Sequence, residues 1–176
     1  METGQIVLSR LVPKTGQTTE HRAGDDGTYQ AGWWKGLTHT ANKTRFILKT
    51  IGVDKVVIDN ATGLMWAADG NAAGGYNGIQ HNWEDCIDYA NALDFAGFTD
   101  WRVPSIFELA SIIIYDRFSP AILEPPFSNT ASTYTWTSTA YPDDVLNKWF
   151  VYFPTGRAAG DGKQNLFNLR CVRGGL

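Results

Sequence analysis

The chain has 176 residues, of which 43% are hydrophobic and 19% are charged, and its formal net charge at pH 7 is -3. This length and balance suit one folded domain and exclude intrinsic disorder, and no stretch approaches the ~20 apolar residues that membrane insertion requires. Basic residues are too scattered for a nucleic acid partner, because phosphate binding needs a concentrated basic face.

The first part of the chain, residues 1–50, is polar and Gly-rich. Only residues 6–8 and 46–48 look like short strands, so the segment is predicted to be an arm for attachment or oligomer contacts. Residues 1–4 show neither the basic nor the apolar part of a secretory signal, and none is expected in this chain. We therefore expect one domain over residues 51–176.

A hairpin opens the predicted domain. The β-branched residues 56–58 and Asp59 are followed by the turn sequence Asn60-Ala61-Thr62-Gly63, and the apolar pattern resumes over residues 64–66. Residues 69–80 are rich in Gly and Asn, which indicates a loop.

Two helices are predicted next. Asn82 can cap the first helix, and Gly97 lies where its end is expected. Its apolar residues at helical spacing are Trp83, Cys86, Ile87, Ala90 and Leu93. Ser105 and Glu108 form a capping box for the second helix. The prolines at 120, 125 and 126 then predict a long loop over residues 116–131.

Strands are predicted from Tyr134 onward, with the last over residues 166–172. In residues 149–153 the side chains alternate between two faces, which suggests that Trp149, Val151 and Phe153 face the core while Phe150 and Tyr152 face outward. The alternative is that the loop 116–131 covers Phe150 and Tyr152. The element order predicts an α+β domain in which the first and last strands pair.

Specific motifs carry a family likeness. They include Trp101-Arg102-Val103-Pro104-Ser105 and Arg170-Cys171-Val172-Arg173. The matching segments, in order, are residues 57–66, 83–93, 99–105, 108–109, 134–139, 149–153, 156 and 170–173. The chain resembles the Lcl C-terminal domain family, a bacterial and phage domain of unknown function.

The resemblance implies a C-type-lectin-like fold, with two helices against small antiparallel sheets and long irregular loops. Family members with a role tend to be surface adhesins or binding domains. Members often carry a cysteine where this chain has Ala90, whereas Cys86 lies one helical turn earlier, so a Cys86–Cys171 bridge stays an open question. The tryptophans at other family positions are expected in the core, namely residues 66, 83, 101, 136 and 149. Arg102 is expected to form hydrogen bonds with Asp100 or with backbone carbonyls.

Catalysis has little support in the sequence. His21, His39 and His81 lie in predicted loops without metal-ligand spacing, and no Gly-x-Ser-x-Gly or phosphate-binding loop is present. The segment at 124–126 lacks the amide that a calcium-dependent lectin loop needs, and Asp143-Asp144 is more simply an exposed acidic turn than a cation site. We expect no enzyme activity, cofactor or metal.

The segment 141–168 is the predicted recognition surface, because outward aromatic rings among amides and charges are typical of binding surfaces. Its candidate ligand-binding residues are Tyr141, Asp143, Asn147, Lys148, Phe150, Tyr152, Arg157, Lys163 and Asn165. The first hypothesis is a non-catalytic adhesion domain that binds a glycan or protein receptor outside the cell, on a cell surface or on a virion. The second is a structural virion or assembly protein that uses the same surface for subunit contacts or as a homo-oligomer, and a third is an enzyme with Asp143 or Asp144 as acid and base.

Overall fold

The computed structural model describes residues 12–32, 45–142 and 144–174. These ranges contain three α-helices, α1 (Asp26–Tyr29), α2 (Trp83–Ala92) and α3 (Ile106–Ser111). Their strands are β1 (Phe46–Ile51), β2 (Asp54–Asp59), β3 (Leu64–Ala67), β4 (Tyr134–Ala140), β5 (Asn147–Tyr152), β6 (Arg157–Gly162) and β7 (Val172–Arg173). They form two antiparallel sheets, β1-β2-β3-β7 and β4-β5-β6, so the prediction of an α+β domain is confirmed.

The four-stranded sheet contains the predicted hairpin, in which β2 and β3 pair from Asp59↔Leu64 to Val56↔Ala67. The last strand, β7, pairs with β3 and brings the two ends of the domain together, as expected. It covers only two residues, because Phe167 and Asn168 instead make single bridges with His81 and Thr135.

The sheet begins at Phe46, five residues before the expected boundary. Arg45 and Asp59 form a fully buried ion pair with two hydrogen bonds of 2.9 Å, and the Arg45 guanidinium also donates to the carbonyl of Ser111. Phe46 packs in the core on Phe127. Residues 45–51 are therefore part of the packed domain.

Both long helices begin where the sequence predicts. The Asn82 side chain accepts a hydrogen bond from the Asp85 amide, and Ser105 with Glu108 completes a capping box. The end of α2 differs from the prediction, because the helix ends at Ala92. Gly97, with φ of +74°, lies in the turn that follows the helix.

The three-stranded sheet is packed on both faces, which contradicts the predicted outward orientation of Phe150. Val151 and Phe153 lie in one core cluster with Ile112 and Ile122, whereas Phe150, 3% exposed, lies in a second cluster. There its ring packs edge-to-face on two aromatic rings, those of Tyr134 and Phe167, with centroids 5.1 and 5.3 Å away. The loop 116–131 does not cover Phe150, since its buried residues Ala121, Ile122 and Phe127 pack in the first cluster.

The five tryptophans expected in the core divide into two groups. Trp66, Trp101 and Trp136 are buried as predicted, whereas Trp83 and Trp149 are half-buried.

Arg102 pairs with Glu108 and the Gly174 carbonyl, not with Asp100, which pairs with Arg173 instead. Arg102 thereby connects the start of α3 to the end of the described chain.

Part of the predicted arm lies on the domain. The Tyr115 amide donates to the Thr15 carbonyl at 2.9 Å, and the Asp116 carboxylate accepts from the backbone and hydroxyl of Thr18. The rest of the arm, residues 1–11 and 33–44, lies outside the described residues. None of the described helices has the length and hydrophobicity to cross a membrane.

Candidate functional site at the tip of the three-stranded sheet

Two turns lie side by side at one end of the three-stranded sheet. The Lys163 amide donates to the Leu146 carbonyl at 2.8 Å, which joins the turn after β6 to the turn before β5. We call this end, residues 141–142, 144–147 and 160–166, the tip surface.

The tip surface exposes three aliphatic side chains, Val145, Leu146 and Leu166, whose exposed fractions are 81%, 59% and 58%. Exposed aliphatic groups favour contact with another molecule, because covering them releases water from apolar area.

An aromatic pair supports the tip. The rings of Tyr141 and Trp149 have centroids 4.7 Å apart, and both side chains are half-buried. Tyr141 lies against the backbone of Gly160, where an added Cβ would come within 2.3 Å of the ring. Glycine at position 160 therefore allows the tyrosine ring to lie flat on the sheet.

Polar side chains fix the two turns. The Asp144 carboxylate accepts from the Leu146 amide at 2.8 Å, and Asp161 accepts from the side chain of Asn165 at 2.8 Å. Lys163 pairs with the Glu84 carboxylate on α2 at 2.5 Å. The apolar residues are thus presented on turns that hydrogen bonds hold in place.

The structure brings together four of the nine predicted residues at the tip, namely Tyr141, Asn147, Lys163 and Asn165. Two predictions of exposure are wrong, because Phe150 and Lys148 are both buried. The Lys148 ammonium lies 4.7 Å from the centroid of the Trp83 ring and donates to the Val145 carbonyl, so its charge is satisfied inside the fold.

Two other predicted residues lie at the opposite end of the sheet. Tyr152 is half-buried and Arg157 is exposed, and three residue steps along β6 place Arg157 about 10 Å from Gly160, where the tip surface begins. Asp143 lies outside the described residues.

The sequence prediction missed Val145, Leu146 and Leu166. Their only signal was an aliphatic residue in a polar turn segment, which is weak because single exposed aliphatic residues are common on protein surfaces.

The model of the Lcl C-terminal domain family matches residues 55–173. The chain belongs to this family. The matched range begins in β2 and ends in β7, so the tip surface is part of the Lcl C-terminal domain. No curated protein matches the chain.

Loops of the Lcl C-terminal domain are held by Arg170, which is buried. Its guanidinium donates to the carbonyls of Ala67 and Ala68 at 2.7 and 2.9 Å and to the Thr130 hydroxyl at 2.8 Å. Burial lowers the pKa of Arg170 to about 10, although the nearby Glu124 partly opposes this change. The side chain remains charged at neutral pH and serves as a bridge between loops that are distant in sequence.

The two cysteines of the domain, Cys86 and Cys171, are both buried and free, so no bridge joins them. Burial raises the pKa of the Cys86 thiol to about 12, with a smaller contribution from Asp85, and burial also raises the pKa of Cys171. Neither thiol has the depressed pKa of a nucleophile.

A concave surface lies between the arm and the domain. This open cleft, with a volume of about 830 Å³, is lined by Thr18, His21, Tyr115, Asp116 and Phe118 among others. Hydrogen bonds from Thr18 lower the pKa of Asp116, which therefore holds the arm as a carboxylate. Within the described ranges, no group of three or more histidine, cysteine or acidic residues could hold a metal ion.

Proposed function

We propose that this chain is a non-catalytic binding domain of C-type-lectin-like fold that recognises a receptor through the tip surface. The observation that carries the proposal is the exposure of Val145, Leu146 and Leu166 on turns fixed by hydrogen bonds. Preformed turns lose little conformational entropy on binding, so contacts made by their side chains contribute more fully to affinity.

The composition of the tip favours a protein receptor, or a glycan presented on one. Exposed aliphatic side chains are typical of protein contacts, whereas the amides of Asn147 and Asn165 can donate and accept hydrogen bonds. In this proposal the domain acts outside the cell, on a cell surface or on a virion.

A pair of matched substitutions tests the proposal. Val145→Asp places a charge in the apolar tip, while Val53→Asp makes the same change at a valine that is 92% exposed in the β1–β2 turn of the other sheet. Capture should be measured on whole cells, on a panel of surface proteins and on a glycan and glycosaminoglycan array.

We expect V145D to weaken capture at least about tenfold, the typical loss at a central contact residue, while V53D leaves it unchanged. Equal capture by wild type and V145D on every surface that retains the wild type would contradict the assignment of the tip.

A second candidate function, subunit contact in a virion or surface assembly, rests on the same aliphatic residues. It predicts that the purified chain self-associates through the tip and that V145D abolishes this association in sedimentation velocity. Self-association that is insensitive to V145D would contradict it.

A further inference from the structure

Strand β6 is an edge strand among the described residues. It pairs with β5 on one side, from Tyr152↔Arg157 to Asn147↔Gly162, and it ends the order β4-β5-β6. An open edge carries backbone donors and acceptors that can pair with another strand.

The hydrogen-bond pattern shows which backbone groups of β6 point outward. Lys163 donates its amide to the directly opposite Leu146, so these two residues form a hydrogen-bonded pair. Such pairs alternate with non-bonded ones along an antiparallel ladder. The amides and carbonyls of Ala158 and Gly160 therefore point away from β5.

The other side of β5 gives the same result independently. The amide of Phe153, just after β5, donates to the carbonyl of the opposite Thr133, just before β4. By the same alternation, the backbone groups of Val151 and Trp149 point toward β4. The backbone groups of the remaining residues of β5 must then point toward β6. These residues are 148, 150 and 152, and their partners in β6 are 161, 159 and 157.

The side chains of β6 leave this edge accessible. Its middle residues are Ala158, Ala159 and Gly160, which are exposed or half-exposed and too small to shield the backbone. The strand contains neither lysine nor proline, two residues that commonly protect sheet edges from pairing.

Charges at the two ends of β6 determine which partner fits. Arg157 begins the strand and Asp161 lies four residues later, so both side chains are on the same face and both are exposed. If two copies of β6 run antiparallel about Ala159, Arg157 of each copy lies directly opposite Asp161 of the other. The same register places the outward groups of Ala158 opposite those of Gly160.

From this self-complementarity we propose that β6 pairs with β6 of a second copy of this chain, giving a symmetric dimer with a continuous six-stranded sheet. Each half of the contact combines outward backbone hydrogen bonds with a cross-strand pair of opposite charge. Because one pair of short strands buries less area than a standard interface, the dimer dissociates readily on dilution. This inference does not rest on the proposed receptor function.

The first test is sedimentation velocity of the full chain over a range of about 5 to 500 μM, where a small contact is expected to dissociate. We expect the average mass to rise toward that of a dimer. Ala158→Pro removes an outward amide without removing a hydrogen bond to β5, so this variant should remain folded by circular dichroism and stay monomeric. A wild-type chain that is monomeric throughout the range would overturn the proposal.

Charge reversal tests the register. R157D places two carboxylates opposite each other in a dimer, and D161R places two guanidinium groups opposite each other, so each variant alone should dimerise at least about tenfold more weakly. An equal mixture of the two should recover dimers, since every facing pair is then of opposite charge. Dimers that resist both A158P and R157D, or a mixture that remains monomeric, would refute pairing through this edge, while V145D should leave the edge dimer intact.

Discussion

Replacing Phe150 with alanine tests whether its side chain is buried, as in the structure, or exposed, as the alternation of side chains along residues 149–153 suggests. The Phe150 side chain is 3% exposed and contacts the rings of Tyr134 and Phe167. Removing a buried phenylalanine side chain costs about 3–5 kcal/mol, because apolar transfer energy is lost and a cavity remains. For a chain of this length the melting temperature should then fall by roughly 6–20 °C.

The matched control is Phe107→Ala, since Phe107 is 85% exposed on α3. Its replacement should change the free energy of unfolding by no more than about 0.5 kcal/mol. Urea unfolding followed by tryptophan fluorescence measures both variants, and an unchanged slope with urea shows that the change lies in stability. If F150A costs no more than F107A, the packing described for β5 is wrong.

Two further substitutions and a labelling experiment test other buried or half-buried groups. Arg45→Met leaves the Asp59 carboxylate buried without its cation and should cost about 3–5 kcal/mol in urea unfolding. Burial alone would raise the pKa of Glu108, but hydrogen bonds from Arg102 and from the Ser105 amide hold this pKa below 4.5. The ionised carboxylate therefore stabilises the fold above that pH. Glu108→Gln should lower the free energy of unfolding by about 1–2 kcal/mol near pH 7, and this difference should shrink as the pH falls below about 4.5. Because burial raises the pKa of Cys86 to about 12 and also raises that of Cys171, a thiol reagent at pH 8 should label neither until denaturant unfolds the chain.

For each of these three experiments, one result would contradict the expectation. Lys49→Met, the same replacement at an exposed position of β1, should be nearly neutral, and an equal effect of Arg45→Met would count against the buried ion pair. A stability difference for Glu108→Gln that does not vary with pH would show that its charge is unimportant. Rapid labelling of the native chain would show that the thiols are accessible.

Features that depend on neighbouring residues could be predicted from the sequence. The Asn82 cap, the capping box of Ser105 with Glu108 and the hairpin at 60–63 each involve groups within a few positions of one another. Such local geometry is encoded in residue type and spacing, and the order of the predicted elements indicated the α+β class.

Which surfaces remain exposed depends on how distant parts of the chain pack together. Alternation along β5 gives two rows of side chains, but it cannot show that Phe167 and Tyr134, distant in sequence, cover the row containing Phe150 while residues of the loop 116–131 pack with the other. Because both faces of the three-stranded sheet are packed, the predicted aromatic surface is absent. The exposed parts of this sheet are the turns at the tip and the edge of β6. Burial depends on what the rest of the chain places against a strand, and the pattern within the strand does not contain that information.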